Sequence, residues 1–137
     1  MNYFDSCYLA KFYLHEVDSQ RVRSAAASLG TIACCALGWG EVVSVLHRHL
    51  REQRLSTREF QLLAAQVEAD VRSGLWVSLP VTTALVEAQV RSIVRLSDRV
   101  FLRAADALHL ACAAESGLKE IYSCDHHLVT AAPIGVT

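Results

Sequence analysis

The sequence predicts an α/β fold: a mostly parallel central sheet of about four to five short strands, flanked by helices in a three-layer, Rossmann-like arrangement. Three observations carry this. Short apolar runs at residues 3–4, 31–37, 76–79 and 121–124 alternate with longer segments of helical periodicity, the order that strand–helix–strand crossovers produce. The first and last of those runs lead straight into an acid, Asp5 and Asp125, and strand C-terminal ends are where open α/β sheets bind ligands. The segment 102–114 is rich in Ala and Leu, free of Gly and Pro, and has no clearly polar face. It therefore predicts a helix buried on most of its sides.

Composition narrows the class. With 137 residues, 53% apolar and 20% charged, the chain reads as one folded domain, 1–137, that needs no staples for its core. A net charge of −1 excludes a general basic footprint, so local patches or metal ions would have to hold any nucleic acid. The start Met1-Asn2-Tyr3-Phe4-Asp5, with Lys11 soon after, is neither a signal nor a transit peptide, and no apolar run is long enough to span a bilayer. None of the five cysteines shows C-x-x-C spacing, and Cys34, Cys35, Cys112 and Cys124 lie in apolar segments. They read as reduced core residues of a cytoplasmic protein.

In chain order, Tyr3-Phe4 begins a strand, and Ser6 is placed to cap a helix carrying Leu9, Phe12 and Tyr13. Residues 17–27 form a second helix with Val22 inward, stopped by Gly30. The run 31–37 reads as a fully buried strand, broken by Gly38-Trp39-Gly40 before a helix through Val42, Val45, Leu46 and Leu50. Glu41 opens that helix, where the dipole alone would favour an acid. Its basic far end, 47–54, reads as a solvated terminus within reach of phosphates. Ser56-Thr57-Arg58-Glu59 is a capping box, opening a helix striped by Phe60, Leu63, Val67 and Val71 and closed by Gly74. The acids of that helix, Glu59, Glu68 and Asp70, fit a wet face. Trp76-Val77-Ser78-Leu79 is a third strand, ended by Pro80, and 82–96 is a helix with Val86, Val90, Ile93 and Val94 inward. Ser97-Asp98-Arg99 is a polar loop before the 102–114 helix, which Gly117 ends. A strand into Asp125, a helical start at His126-His127 and an edge strand over 134–137 complete the chain.

Right-handed crossovers bring the C-terminal ends of parallel strands to one sheet edge. Asp5 and Asp125 would lie on it, Glu41 just beyond it, and Asp106 would approach from the start of its own helix. Singly, Asp5 reads as a plain N-cap and Asp106 as an acid favoured by a helix dipole. Together, four carboxylates without basic partners require raised pKa values or a hard divalent cation. All-oxygen ligands favour Mg²⁺ or Mn²⁺. His109, one turn after Asp106, reads as a packed, hydrogen-bonded core histidine rather than a general base, and His126 and His127 as surface residues.

These segments resemble those of PIN domains. The opening Tyr3-Phe4-Asp5-Ser6-Cys7-Tyr8-Leu9-Ala10-Lys11-Phe12-Tyr13 is similar to the first-acid segment, and Glu41-Val42-Val43-Ser44-Val45-Leu46-His47-Arg48 to the second. Leu102-Arg103-Ala104-Ala105-Asp106-Ala107-Leu108-His109-Leu110-Ala111 resembles the third-acid segment of VapC-type toxins, and Ile121-Tyr122-Ser123-Cys124-Asp125-His126-His127-Leu128 the fourth. Two positions depart from the pattern: Cys7 stands where the family commonly has Ser, and Cys124 where it commonly has an aromatic residue. The resemblance implies a Mg²⁺- or Mn²⁺-dependent endoribonuclease, the toxin of a type II toxin–antitoxin pair, hydrolysing RNA by metal-activated water. Asp5, Glu41, Asp106 and Asp125 would be its catalytic metal ligands, with Ser6 and Ser123 orienting them. It also implies a cognate antitoxin and a homodimer.

Two other classes compete. An inactive PIN-like scaffold would keep the fold without the chemistry; retention of all four acids speaks against it. A receiver-type signalling domain needs adjacent acids after the first strand and a Lys after the last, and neither is present.

Overall fold

The computed structural model describes residues 1–132 and 135–136. Five strands, β1 (Asn2–Phe4), β2 (Ile32–Cys35), β3 (Trp76–Leu79), β4 (Glu120–Tyr122) and β5 (Gly135–Val136), form a sheet in the order β3-β2-β1-β4-β5. Every pairing is parallel, with Tyr3 opposite Ala33 and Phe4 opposite Tyr122. Of the expected edge strand, Ile134 and Thr137 lie outside the described residues.

Side chains alternate across a strand, so neighbouring residues serve different cores. Phe4, Ile32, Cys34 and Trp76 face α1 (Ser6–Tyr13), α2 (Ser19–Leu29), α3 (Ala36–Arg51) and α4 (Thr57–Ser73), with Leu9, Val22, Leu46 and Val67. Tyr3, Cys35 and Ile121 face α5 (Thr83–Val94), α6 (Ala104–Glu115) and α7 (His126–Ala131), with Leu85, Leu108, Ala111 and Leu128. The expected three-layer α/β architecture is observed, and β1 is its centre.

Several elements differ from the sequence reading. Asp5, not Ser6, caps α1: its Oδ1 accepts from the Tyr8 amide at 2.8 Å, and Ser6 is the first helical residue. The second helix lies two residues later than expected. The strand β2 ends at Cys35, and α3 begins at Ala36, so Gly38-Trp39-Gly40 is inside the helix instead of ahead of it. Gly38 costs helix propensity, yet a Cβ there would stand 2.3 Å from Cys34 Sγ and 3.1 Å from His109 Cε1. Close packing of α3 on β2 and α6 requires its missing side chain. Glu41 consequently occupies the second turn of α3, beyond the helix's first amides.

On α5 the buried residues are Leu85 and Ala88, whereas Val86, Val90, Ile93 and Val94 are exposed. The helix is apolar on both sides, and its smaller face packs on α6. Asp70 is buried rather than wet, accepting from the Tyr13 hydroxyl at 2.9 Å and Gln66 Nε2 at 2.7 Å. His49 is also buried, 3.2 Å from Glu16 Oε1. Cys124 is exposed, because β4 stops at Tyr122 and leaves it in the following turn.

Candidate active site

The parallel sheet delivers Asp5 and Asp125 to one edge. The Asp5 amide continues the ladder by donating to the Tyr122 carbonyl at 3.0 Å. Asp125 follows three residues after Tyr122 and caps α7, accepting from the His127 amide at 2.8 Å. Ser123 joins the two acids: its hydroxyl donates to Asp5 Oδ2 and accepts from the Asp125 amide at 2.8 Å. Cys7 Sγ donates to the same Asp5 oxygen at 3.5 Å. Burial pushes the Asp5 carboxyl above the ordinary carboxylate range, against the pull of Ser123, the Tyr8 amide and His109.

Asp106 lies in the first turn of α6 and is buried. It accepts from Arg103 Nε at 2.7 Å and, more weakly, from Arg103 Nη2 at 3.4 Å. That same Nη2 bonds Asp125 Oδ2. One guanidinium therefore bridges two of the acids, and the hydrogen bond and charge of Asp106, with smaller contributions from the charges of Asp125 and Glu41, hold Arg103 above its ordinary pKa.

Glu41 reaches the site from α3. Its Oε2 lies 2.7 Å from His109 Nε2. Burial alone would raise its pKa, but the His109 contact brings it below the ordinary value. Burial opposes charge on His109 as well; hydrogen bonds to Cys35 and Glu41 outweigh it and raise its pKa to about 10. The other ring nitrogen, Nδ1, is 2.7 Å from the Tyr3 hydroxyl, which accepts from the Cys35 amide at 3.0 Å. Neutral His109 keeps its proton on Nε2 and accepts from Tyr3; charged His109 donates from both nitrogens, with the Tyr3 hydroxyl turned round.

The expectation of four carboxylates without basic partners is thus corrected: Arg103 serves Asp106 and Asp125, and His109 serves Glu41. Among the described residues no three His, Cys, Asp or Glu side chains stand grouped as a ready metal cage. The donor chemistry nevertheless fits a hard cation. A positive group already bridges Asp106 and Asp125, and its side chain is 58% exposed, so it can swing out. His109 is a fully packed histidine, as its apolar surroundings predict, but it also positions Glu41. Arg103 is the residue that sequence reading missed; its signal is the i,i+3 spacing to Asp106 at a helix start. No sequence signal marks the Tyr3 hydroxyl. The larger cavities formed by the described residues, such as the groove of about 780 Å³ along Trp39, Val43, Ala64 and Val71, lie apart from the acids.

The PIN domain family model matches residues 3–132. No curated protein sequence matches the chain. Among solved structures, VapC20 of Mycobacterium tuberculosis, a sarcin–ricin loop cleaving toxin, superposes with a TM-score of 0.79 at 20% identity, over 98% of this chain and 97% of that one. FitAcB from Neisseria gonorrhoeae gives 0.79 at 17% identity, over 99% and 96%. A toxin–antitoxin complex from Klebsiella pneumoniae gives 0.64 at 18% identity, over 100% and 96%. At such identities the likeness to these structures is one of fold, while the family match spans nearly the whole sequence: the chain belongs to the PIN domain family.

Proposed function

We propose that this protein is a metal-dependent endoribonuclease, the toxin of a toxin–antitoxin pair, and that Asp5, Glu41, Asp106 and Asp125 form its catalytic centre. One observation carries the reading: Asp5, Asp125 and Asp106, from three separate segments, are linked by Ser123 and Arg103 at the C-terminal edge of the sheet, and His109, one turn after Asp106, holds Glu41 from a fourth. Asp5, Asp106, Asp125 and Glu41 would hold Mg²⁺ or Mn²⁺. Such an ion, when bound, supplies charge neutralisation at the phosphate and a more acidic water.

The chain's own residues do the rest. Ser123 fixes the relative position of Asp5 and Asp125. His109, locked by Tyr3, aims Glu41 toward the site, and Ser6, the first residue of α1, would steady the acids from the other side. Arg103, released from Asp106 and Asp125, is a cation within reach of a phosphate bound beside them. Phe101 is 61% exposed, and its ring stands edge-on to His127 with centroids 5.0 Å apart. This pair offers an aromatic face for an unpaired RNA base next to the acids. No side-chain nucleophile is required.

The resemblance also brings partners. An antitoxin inserting a basic side chain among the acids would find an apolar seat in the Trp39–Val43–Val71 groove. A second copy of the chain would cover the Val86, Val90, Ile93 and Val94 face of α5. No helix among the described residues is long and apolar enough to cross a membrane, and cytoplasmic action on RNA fits that.

A second reading has its own support. In an inactive PIN-like binding module the Arg103 bridge would be permanent. Purified protein incubated with RNA and Mg²⁺ or Mn²⁺, followed by end mapping, separates the two. Defined cuts that vanish with chelator support the nuclease; intact RNA at every metal concentration supports the module.

A further inference from the structure

The two positions at which the chain departs from the pattern it resembles lie against each other. Cys7, in the first turn of α1, and Cys124, in the turn after β4, are 117 residues apart in sequence. The Cys124 amide donates to Cys7 Sγ at 3.2 Å, which sets the two side chains beside each other. Cys124 is exposed and Cys7 half-buried, while the other three cysteines, Cys34, Cys35 and Cys112, are buried in the core. Each member of the pair adjoins a candidate catalytic acid: Cys7 Sγ donates to Asp5 Oδ2 at 3.5 Å, and Cys124 directly precedes Asp125.

We propose that Cys7 and Cys124 form an oxidisable dithiol site that closes to an intramolecular disulfide on exposure to hydroperoxides. The exposed Cys124 sulfur attacks the peroxide, the O–O bond breaks, and the leaving oxygen departs as an alcohol, or as water from hydrogen peroxide, carrying the thiol proton. Cys7 Sγ then attacks the sulfenic sulfur of Cys124. The S–S bond forms, the S–O bond breaks, and the hydroxyl leaves as water with the Cys7 proton. Two electrons pass from the two sulfurs to the peroxide. Cys7 Sγ already lies 3.2 Å from the backbone amide of Cys124, so the attacking sulfur stands beside the residue it must reach.

Closure changes the acid edge. Asp5 loses the S–H donor of Cys7, and the two turns that carry Asp5 and Asp125 become covalently joined. The consequence for metal binding rests on the function proposed above; the disulfide itself does not.

The test uses the full chain, purified reduced and treated with hydrogen peroxide in the presence of chelator. Free thiols are then blocked in denaturant, and peptides are mapped by mass spectrometry without reduction. The expected result is a linked peptide pair containing Cys7 and Cys124 in monomeric protein, reversed by dithiothreitol, with Cys34, Cys35 and Cys112 blocked as free thiols. Cys7→Ser leaves Cys124 as sulfenic or higher acid, and Cys124→Ser yields no linkage. Peroxide-treated protein in which Cys124 is oxidised while Cys7 stays a free thiol, or in which linkage occurs only between molecules, overturns the proposal. Mn²⁺ titration of the reduced and oxidised forms reads the consequence, expected as about a tenfold or greater loss of affinity on oxidation. If the reduced protein binds no Mn²⁺ while the linked peptide is found, the nuclease reading fails and the dithiol site stands.

Discussion

Replacing Arg103 with Gln tests how the acid site is held before metal arrives. The guanidinium bonds Asp106 through Nε and Nη2 and Asp125 through Nη2. Its side chain is 58% exposed, whereas those of Asp106 and Asp125 are only 12% and 19% exposed. Solvent therefore screens the cation, and each such pair contributes at most about 1 kcal/mol. Taking about 1 kcal/mol for the whole bridge, Arg103→Gln should lower the melting temperature of metal-free protein by about 4 °C for a domain of this size. The same free energy opposes metal binding, because the guanidinium must leave the oxygens that the metal takes. Its loss should tighten Mn²⁺ binding about fivefold. Differential scanning fluorimetry in chelator and isothermal titration with Mn²⁺ measure the two quantities, which should agree as free energies. A variant that is destabilised as expected but binds Mn²⁺ no tighter than wild type would refute the competition.

Other perturbations probe the frame around the site. Gly38→Ala gains about 1 kcal/mol of helix propensity but forces a methyl to 2.3 Å from Cys34 Sγ. Overpacking of about 1–3 kcal/mol should win, giving net destabilisation in urea unfolding; a more stable variant contradicts the close packing of α3. Tyr13→Phe strips Asp70 of a donor and the Trp76 indole N–H of its acceptor at 2.6 Å, and should cost about 1–3 kcal/mol by the same assay. The Glu41–His109 pair predicts a pH trend for metal-free protein. His109, raised from 6.5 to about 10, contributes stability that is complete below 6.5 and lost as pH rises toward 10. Glu41, held below 4.5, contributes above 4.5 and loses its share as pH falls through its lowered value. Asp5, raised above 3.8 by burial, adds to the decline with rising pH. Stability should therefore fall from pH 6.5 upward, and His109→Gln should flatten that fall; an unchanged slope would remove His109 as its cause.

The sequence made the parallel sheet and its strand-end acids readable, because strand-end acids and buried helices leave strong local patterns. Asp5 and Asp125 are fixed by parallel topology, and the run around Asp106 has no polar face to expose. What the pattern could not reveal depends on tertiary partners. The inward face of α5 is not legible in the pattern because apolar residues occupy both sides, and only packing against α6 selects Leu85 and Ala88. The glycines in α3 look like breakers until Cys34 and His109 are seen beneath Gly38. Asp70 and His49 look solvent-facing by periodicity, yet Tyr13, Gln66 and Glu16 bury them as paired groups. The cationic partners of the acids were overlooked for the same reason: Arg103 joins segments 22 residues apart at Asp125, and His109 meets Glu41 across 68.

The most direct measurement is single-turnover RNA cleavage against Mn²⁺ concentration, for wild type and for Asp106→Asn checked for retained fold by circular dichroism. Wild type is expected to give saturable, chelator-sensitive cleavage, and the variant none at any Mn²⁺ concentration. Wild-type rates from Asp106→Asn at saturating Mn²⁺, or cleavage by wild type that ignores chelator, would contradict the four-acid metal centre.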